Sequence, residues 1–301
     1  MNDLALLSEL APVAETLLER HINASKEWMP HDLVPWSRGR DFEEGYEWDP
    51  NEVDLAPEIR SALFVNLLTE DNLPYYFRDV ERMFGRDGAW GEWVRRWTAE
   101  EGRHSIVIRD YLTVTRAVDP VGLERARMVQ MSSGAVPEPP TAADGFAYLA
   151  LQELATRIAH RNTGKMIDDE AAYRIMSRVA TDENHHFLFY RDIAKAAIEV
   201  DPSAMMLAIR DQVRDFEMPG TGIPNFTEHS QAIAKAGIYD FLIHYEQILL
   251  PVVVRHWGIE SLEGLSPEAE QARDATLKYI EKIRRVGTRL AARREEQLAS
   301  V

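Results

Sequence analysis

Glu101 and His104 stand three residues apart, and so do Glu183 and His186. On a helix this spacing puts both side chains of a pair on one face, with Cβ atoms about 5–6 Å apart. Spacing alone decides little, because 30 Glu and 9 His in 301 residues give about one such pair by chance. The surrounding pattern is more constraining. Trp90, Trp93, Trp97, Glu101, His104, Ile108 and Tyr111 recur at steps of three and four, as do Ile175, Val179, Glu183, His186, Tyr190 and Ile193. Leu63, Leu67, Glu70 and Phe77 form a third stripe, and Phe146, Leu149, Glu153, Thr156 and His160 a fourth. Four helices therefore carry ionisable groups on their core-facing side.

An unpaired carboxylate in an apolar interior is very costly, so these groups need partners or a metal. Glu70, Glu101, His104, Glu153, Glu183 and His186, spread over four helices, match the arrangement with which a helical bundle holds two metal ions. Oxygen-rich ligation with two imidazoles suits iron or manganese rather than a structural zinc.

Composition narrows the setting. There are no Cys residues, which excludes disulfides, iron–sulfur clusters and thiolate-ligated haem and suggests a cytoplasmic home. The first 30 residues lack a signal-peptide pattern. The longest apolar run, Ile248–Val254, is far too short to span a membrane, so no transmembrane segment is expected. A net charge of −16 argues against nucleic-acid binding. No G-x-G-x-x-G fingerprint is present, so no dinucleotide site of its own is expected.

The apolar spacing predicts one all-α domain over 1–301, with a helix and ordered loop over 1–53, a bundle over 54–200 and additional helices over 201–301. The first helix, 1–22, turns Leu4, Leu7, Leu10, Val13, Ala14 and Leu17 to one side. Asp54 as cap and Pro57 in the first turn open a helix running through Glu70 to about Phe84. Further helices are expected at 90–117, 141–162 and 168–200, the second of these opened by a Thr141-x-x-Asp144 capping box. Gly134–Pro140 reads as a connection. Asp201-Pro202 caps another helix, 219–224 is a turn-rich break, and helices follow at 227–237 and 239–257. Ser266-Pro267-Glu268 opens a long final one.

The wording around the ligands resembles the soluble acyl-carrier-protein desaturases, in particular their actinobacterial branch. Trp97-Thr98-Ala99-Glu100-Glu101-Gly102-Arg103-His104 looks like that family's WTAEENRH, and Asp182-Glu183-Asn184-His185-His186 like its D-E-x-x-H element. Thr69-Glu70-Asp71-Asn72-Leu73-Pro74 resembles T-E-E-x-L-P. Gln152-Glu153-Leu154-Ala155-Thr156 and His160-Arg161-Asn162-Thr163-Gly164 resemble Q-E-x-A-T and H-x-N-T. The likeness extends from about Trp28 to at least Arg255.

The resemblance implies a ferritin-like four-helix bundle with additional helices, a homodimer, and two iron ions per subunit. Glu101 and Glu183 would bridge the ions. Glu70 and His104 would complete one site, Glu153 and His186 the other. Thr156 would stand on the oxygen-binding side, and Trp28 and Asp182 would lead electrons inward to His104. The implied reaction is O2-dependent desaturation of a saturated acyl chain on acyl carrier protein, with electrons from a ferredoxin-type donor. The basic residues Lys278, Lys282, Arg284, Arg285, Arg289, Arg293 and Arg294 offer either a docking patch or a salt-bridged surface. Two departures stand out: Gly102 replaces the usual Asn and suggests close helix approach, and His185 is an extra imidazole expected outside the ligand set. A ferritin-like metal-binding protein, another di-iron oxygenase, and a relative with lost activity remain as alternatives.

Overall fold

The computed structural model describes residues 1–218, 220 and 222–299. Among these every regular element is helical. In chain order they are α1 (Asp3–Ala24), α2 (Pro57–Glu70), α3 (Leu73–Phe84), α4 (Gly88–Thr115), α5 (Pro120–Ser133) and α6 (Ala142–Met166). Then come α7 (Glu170–Val200), α8 (Pro202–Arg214), α9 (Phe226–Ala236), α10 (Phe241–His244) and α11 (Pro267–Ala299). Within the turn-rich break expected over 219–224, Pro219 and Thr221 lie outside the described residues.

The structure departs from the sequence expectation at several places. The single helix expected from Asp54 to Phe84 is two, α2 and α3. Pro74 has no N–H for the Glu70 carbonyl and its ring would clash with it, so α2 stops at Glu70 and the chain restarts with Pro74 in the first turn of α3. Glu70 is thereby the last residue of α2. The N-cap of α2 is Ala56, without a side-chain bond, so Asp54 does not cap it. Helix α5 is unanticipated, although Asp119 accepts from the Val121 N–H at 3.0 Å, the same Asp-Pro opening that marks α8. The helix expected over 239–257 is α-helical only to His244 and becomes a π-helix over Tyr245–His256, with Pro251 inside it. Leu4 is exposed; the buried side of α1 is Leu6, Leu7, Leu10, Ala14, Leu17, Leu18 and His21.

Other local signals hold. Thr141 accepts from the Asp144 N–H at 3.2 Å, and Ser266 from the Ala269 N–H at 3.2 Å. The apolar run around Ile248 is buried core, and among the described residues no single helix is long and apolar enough to cross a membrane.

Helices α2, α4, α6 and α7 form the bundle: α6 lies along α7, α2 packs on α4 and α6, and α4 meets α7. Helix α1 crosses the outside of α4 and α7. The apolar interior falls into two clusters. One holds Trp93, Phe146, Phe189 and Tyr190. The other holds Leu67, Ile108, Tyr111 and Val179. Truncating one such aromatic to Ala costs about 3–5 kcal/mol. Along α4 and α7 the Glu-x-x-His pairs fall between these clusters, so a charged layer is clamped between two apolar ones.

Candidate metal centre

All six expected ligands converge in that layer, each at most 7% exposed. α2 brings Glu70, α4 brings Glu101 and His104, α6 brings Glu153, and α7 brings Glu183 and His186. Their ligating atoms fall into two groups that share Glu101 and Glu183. One adds Glu70 and His104, the other Glu153 and His186, and within each group the atoms lie within 4.8 Å of one another.

The nitrogens facing this layer are both Nδ1. His104 Nδ1 lies 3.2 Å from Glu183 Oε1 and 3.6 Å from both Glu70 Oε2 and Glu101 Oε2. His186 Nδ1 lies 2.8 Å from Glu101 Oε1 and 3.5 Å from Glu153 Oε2. Two ligands each about 2.1 Å from one ion, at about right angles, stand about 3.0 Å apart. At the tetrahedral angle the same pair would stand about 3.4 Å apart, so donors spaced 2.8–3.6 Å fit around metal cations of either geometry. A second observation agrees. Glu101 Oε1, His104 Nδ1, Glu153 Oε2, Glu183 Oε1 and His186 Nδ1 are buried and make no aligned hydrogen bond, even where they lie close to one another. Unsatisfied atoms of this kind cost stability unless something coordinates them.

The electrostatics of the metal-free cage are polarised. Burial, then the Glu101 and Glu153 charges, push the Glu183 carboxyl well above the usual range. Burial acts the same way on Glu101, but His104 and His186 outweigh it and hold that carboxyl well below. Both ligand histidines are drawn well above an ordinary imidazole: burial opposes this, and the surrounding carboxylates prevail.

The far sides of the rings face further carboxylates. Asp182 Oδ2 stands 3.5 Å from His104 Nε2 and accepts from Trp28 Nε1 at 2.8 Å. Arg103 and Arg178 reach the same carboxylate, and Arg103 also stacks 4.8 Å over the Trp28 ring. Asp182 is lowered to about 2: burial raises it, His104 and Arg178 more than compensate. On the other side, Glu100 Oε2 stands 3.1 Å from His186 Nε2 and 2.8 Å from His21 Nε2. Neither His21 nor Glu100 was singled out from the sequence. The available signal was the repeat acid-Glu-x-x-His at 100–104 and 182–186.

Glu70 Oε1 is taken by His160 Nε2 at 2.8 Å, and Trp97 Nε1 donates to Glu153 Oε1 at 3.0 Å. The Thr156 hydroxyl donates to the Gln152 carbonyl at 3.0 Å and accepts from Gln152 Nε2 at 2.9 Å. His185 lies outside the cage, edge-on to His21 at 5.9 Å. The close approach expected at Gly102 is absent: a Cβ there would meet only Leu73 Cδ2, at 3.9 Å.

Cavities adjoin the cage. A slot of about 50 Å³ is walled by its four glutamates, Thr156, Leu149, Val80 and Met83. A second, of about 110 Å³, touches Glu70, Thr156 and His160 and shares Met218, Phe226, Ser230 and Tyr239 with a surface groove of about 750 Å³. Lys235, Arg293 and Arg294 border the groove. Met176 and Val179 are core residues away from the slot. On α11, Arg284 and Arg285 pair with Glu281, and Arg294 with Asp240.

The chain is similar to known proteins in sequence and in fold. Residues 2–300 match the family model described as fatty acid desaturase. DesA1 of Mycobacterium tuberculosis, provisionally described as an acyl-[acyl-carrier-protein] desaturase, is 40% identical, covering 99% of this chain and 91% of that protein. The chloroplastic stearoyl-[acyl-carrier-protein] 9-desaturase 5 of rice (Oryza sativa subsp. japonica) is 31% identical, covering 97% and 79%. The X-ray structure of Mycobacterium tuberculosis DesA2, described like DesA1, superposes with a TM-score of 0.71 at 28% identity, covering 89% of this chain and 99% of that one. The chain belongs to the fatty acid desaturase family, and its fold is ferritin-like and all-helical.

Proposed function

We propose that this protein is an O2-dependent acyl-[acyl-carrier-protein] desaturase. It would hold two iron ions and place a cis double bond in a saturated acyl chain with electrons from a ferredoxin-type donor. The observation that carries this reading is the junction of a six-ligand cage with a narrow cavity: Glu70, Glu101, Glu153 and Glu183 are themselves part of the cavity wall.

Glu101 and Glu183, common to both ligand groups, would bridge the ions. Glu70 with His104 and Glu153 with His186 would complete them. When bound, the iron would supply electrons to O2 and the oxidising power to take two hydrogens from neighbouring methylenes. The reaction balances as –CH2–CH2–, O2, two electrons and two protons giving –CH=CH– and two waters.

The chain's own side chains do the positioning. Val80, Met83 and Leu149 exclude water and line a path for methylenes beside the cage. Thr156 stands on the same wall, where releasing Gln152 would free its hydroxyl for an oxygen species. Trp28, half-buried, with Asp182 connects the surface to His104 and offers an inward route for electrons. Lys235 and Arg293 at the groove, beside the Arg294–Asp240 ion pair, would offer cationic contacts to an acidic carrier's phosphate-bearing arm, although the net charge is −16. With no Cys and no dinucleotide fingerprint, reduction falls to a separate protein. A cytoplasmic homodimer completes the proposal.

The test uses iron-loaded protein reduced without air, then given O2, ferredoxin, its reductase and palmitoyl- or stearoyl-carrier protein. Mass spectrometry should find acyl chains two hydrogens lighter. Unchanged chains across several lengths and carriers would contradict the reading.

A further inference from the structure

His21 belongs to α1, outside the four helices that supply the ligands, yet its side chain is 2% exposed and reaches the centre's outer edge. Its Nε2 lies 2.8 Å from Glu100 Oε2. The same oxygen lies 3.1 Å from His186 Nε2. The two imidazoles stack at 5.8 Å and 22°, and Trp93 meets His21 edge-on at 5.0 Å. The other oxygen of Glu100 is held by Arg96 at 2.5 Å. The Ser25 hydroxyl lies 3.2 Å from His21 Nε2 and donates to the His21 carbonyl.

Proton placement follows from this geometry. A carboxylate oxygen accepts but does not donate. Both rings can bond Glu100 Oε2 only if each carries its proton on Nε2. For neutral His186 that leaves Nδ1 bare, and Nδ1 is the nitrogen that faces Glu101 and Glu153. A carboxylate behind a ligating imidazole fixes its tautomer and ring orientation. Glu100 is in turn fixed by His21 on one oxygen and Arg96 on the other.

We propose that His21, acting through Glu100, is a positioning residue for the metal half that contains His186; this rests on the dimetal reading of the cage. Helix α1 then acts as a clamp on that half. The half containing His104 has a different clamp, in which the indole of Trp28 bonds Asp182. The two halves are consequently unequal. His185, the imidazole surplus to the ligand pattern, packs against the His21 edge and joins this clamp.

The experiment uses the full-length protein loaded with 57Fe, and needs no turnover. Mössbauer spectra give each iron its own quadrupole doublet, and a chelator gives the rate at which each iron leaves. In His21→Leu, one doublet should change and one iron should leave about 10–100-fold faster, the usual consequence of losing an outer partner. His21→Gln, which keeps an N–H donor, should restore both readouts. Glu100→Gln, close in size, provides the same test if His21→Leu does not fold: one doublet should change. Unchanged doublets and rates in His21→Leu, or in Glu100→Gln, would overturn the inference. So would equal effects on both irons, which mark general loosening. Wild-type protein that holds no iron would overturn the metal reading and this inference together. Wild-type protein with two irons beside unaffected variants overturns this inference alone.

Discussion

His160 Nε2 lies 2.8 Å from Glu70 Oε1, while Glu70 Oε2 lies 3.6 Å from His104 Nδ1. One oxygen of the last residue of α2 is thus tied to α6, and the other is left for the cage. The tie matters because Glu70 stands at a helix end, where the turn at Asp71-Asn72 gives it less support than a mid-helix position. His160→Leu should free both oxygens and weaken metal binding on the His104 half by about 10–100-fold. Competition with a chelator measures this, and unaltered retention of both ions would refute the tie.

Glu101 is common to both ligand groups, whereas Glu153 belongs to one. Glu101→Ala should bring bound iron close to zero. Glu153→Ala should leave about one ion per chain, because the other half keeps its ligands. Iron analysis after gel filtration distinguishes the two variants, and two ions retained in Glu101→Ala would reject the bridging role.

Stability of the metal-free chain should fall as pH rises. Glu183 is pushed up by burial and by Glu101 and Glu153, and His104 and His186 are also raised, by carboxylates that outweigh burial. A group with a raised folded pKa contributes its full stability below its unfolded value and loses it as pH climbs through the folded one. Asp182, lowered to about 2, works the other way and withdraws its contribution only in strong acid. Melting temperature of the metal-free protein should therefore drop between about pH 6.5 and about pH 8; below that window buried His244, lowered to about 4 by desolvation, adds stability as pH rises and opposes the trend. Iron(II) should flatten the curve, and Glu183→Gln should flatten part of it. A metal-free curve rising over that range would contradict the assignment.

A Cβ on Gly145 would lie 1.9 Å from Met83 Sδ. Gly145→Ala must therefore displace the Met83 side chain, which also walls the slot beside the glutamates. The flexible thioether can yield, so the fold should survive at a cost of about 1–3 kcal/mol. The longest acyl chain accepted should become shorter, read from product profiles over a carrier-bound length series. An unchanged length profile would remove Met83 from the acyl path.

Trp28→Phe keeps an aromatic ring but removes the N–H that Asp182 accepts. Arg103 and Arg178 still hold Asp182, so metal content at saturating iron should stay near the wild-type level while reduction by the external donor slows, measured by stopped-flow absorbance. Equal reduction rates would leave Trp28 with packing alone, against Arg103 and Arg178.

The ligands were legible because charged residues on an apolar stripe are expensive and therefore informative. The same reasoning missed what the stripe did not carry. Leu10, Ala14, Leu17 and His21 continue one buried face of α1, but His21 lies beyond the leucines that define it. Glu100 is masked by Glu101 beside it. The divided helix was written in Pro74 and α5 in Asp119-Pro120, yet both signals are local and were overshadowed by longer apolar spacing. The role of His160 was hidden because its partner, Glu70, is 90 residues away. The cavities depend on side chains from separated helices, and no spacing within one helix reports them.

The central claim is that one buried layer holds two metal ions shared by Glu101 and Glu183. Anomalous diffraction at the iron edge from iron-loaded crystals tests it most directly. Two peaks about 3.5–4 Å apart are predicted, one beside His104 and one beside His186. A single peak, or peaks outside this layer, would contradict the account.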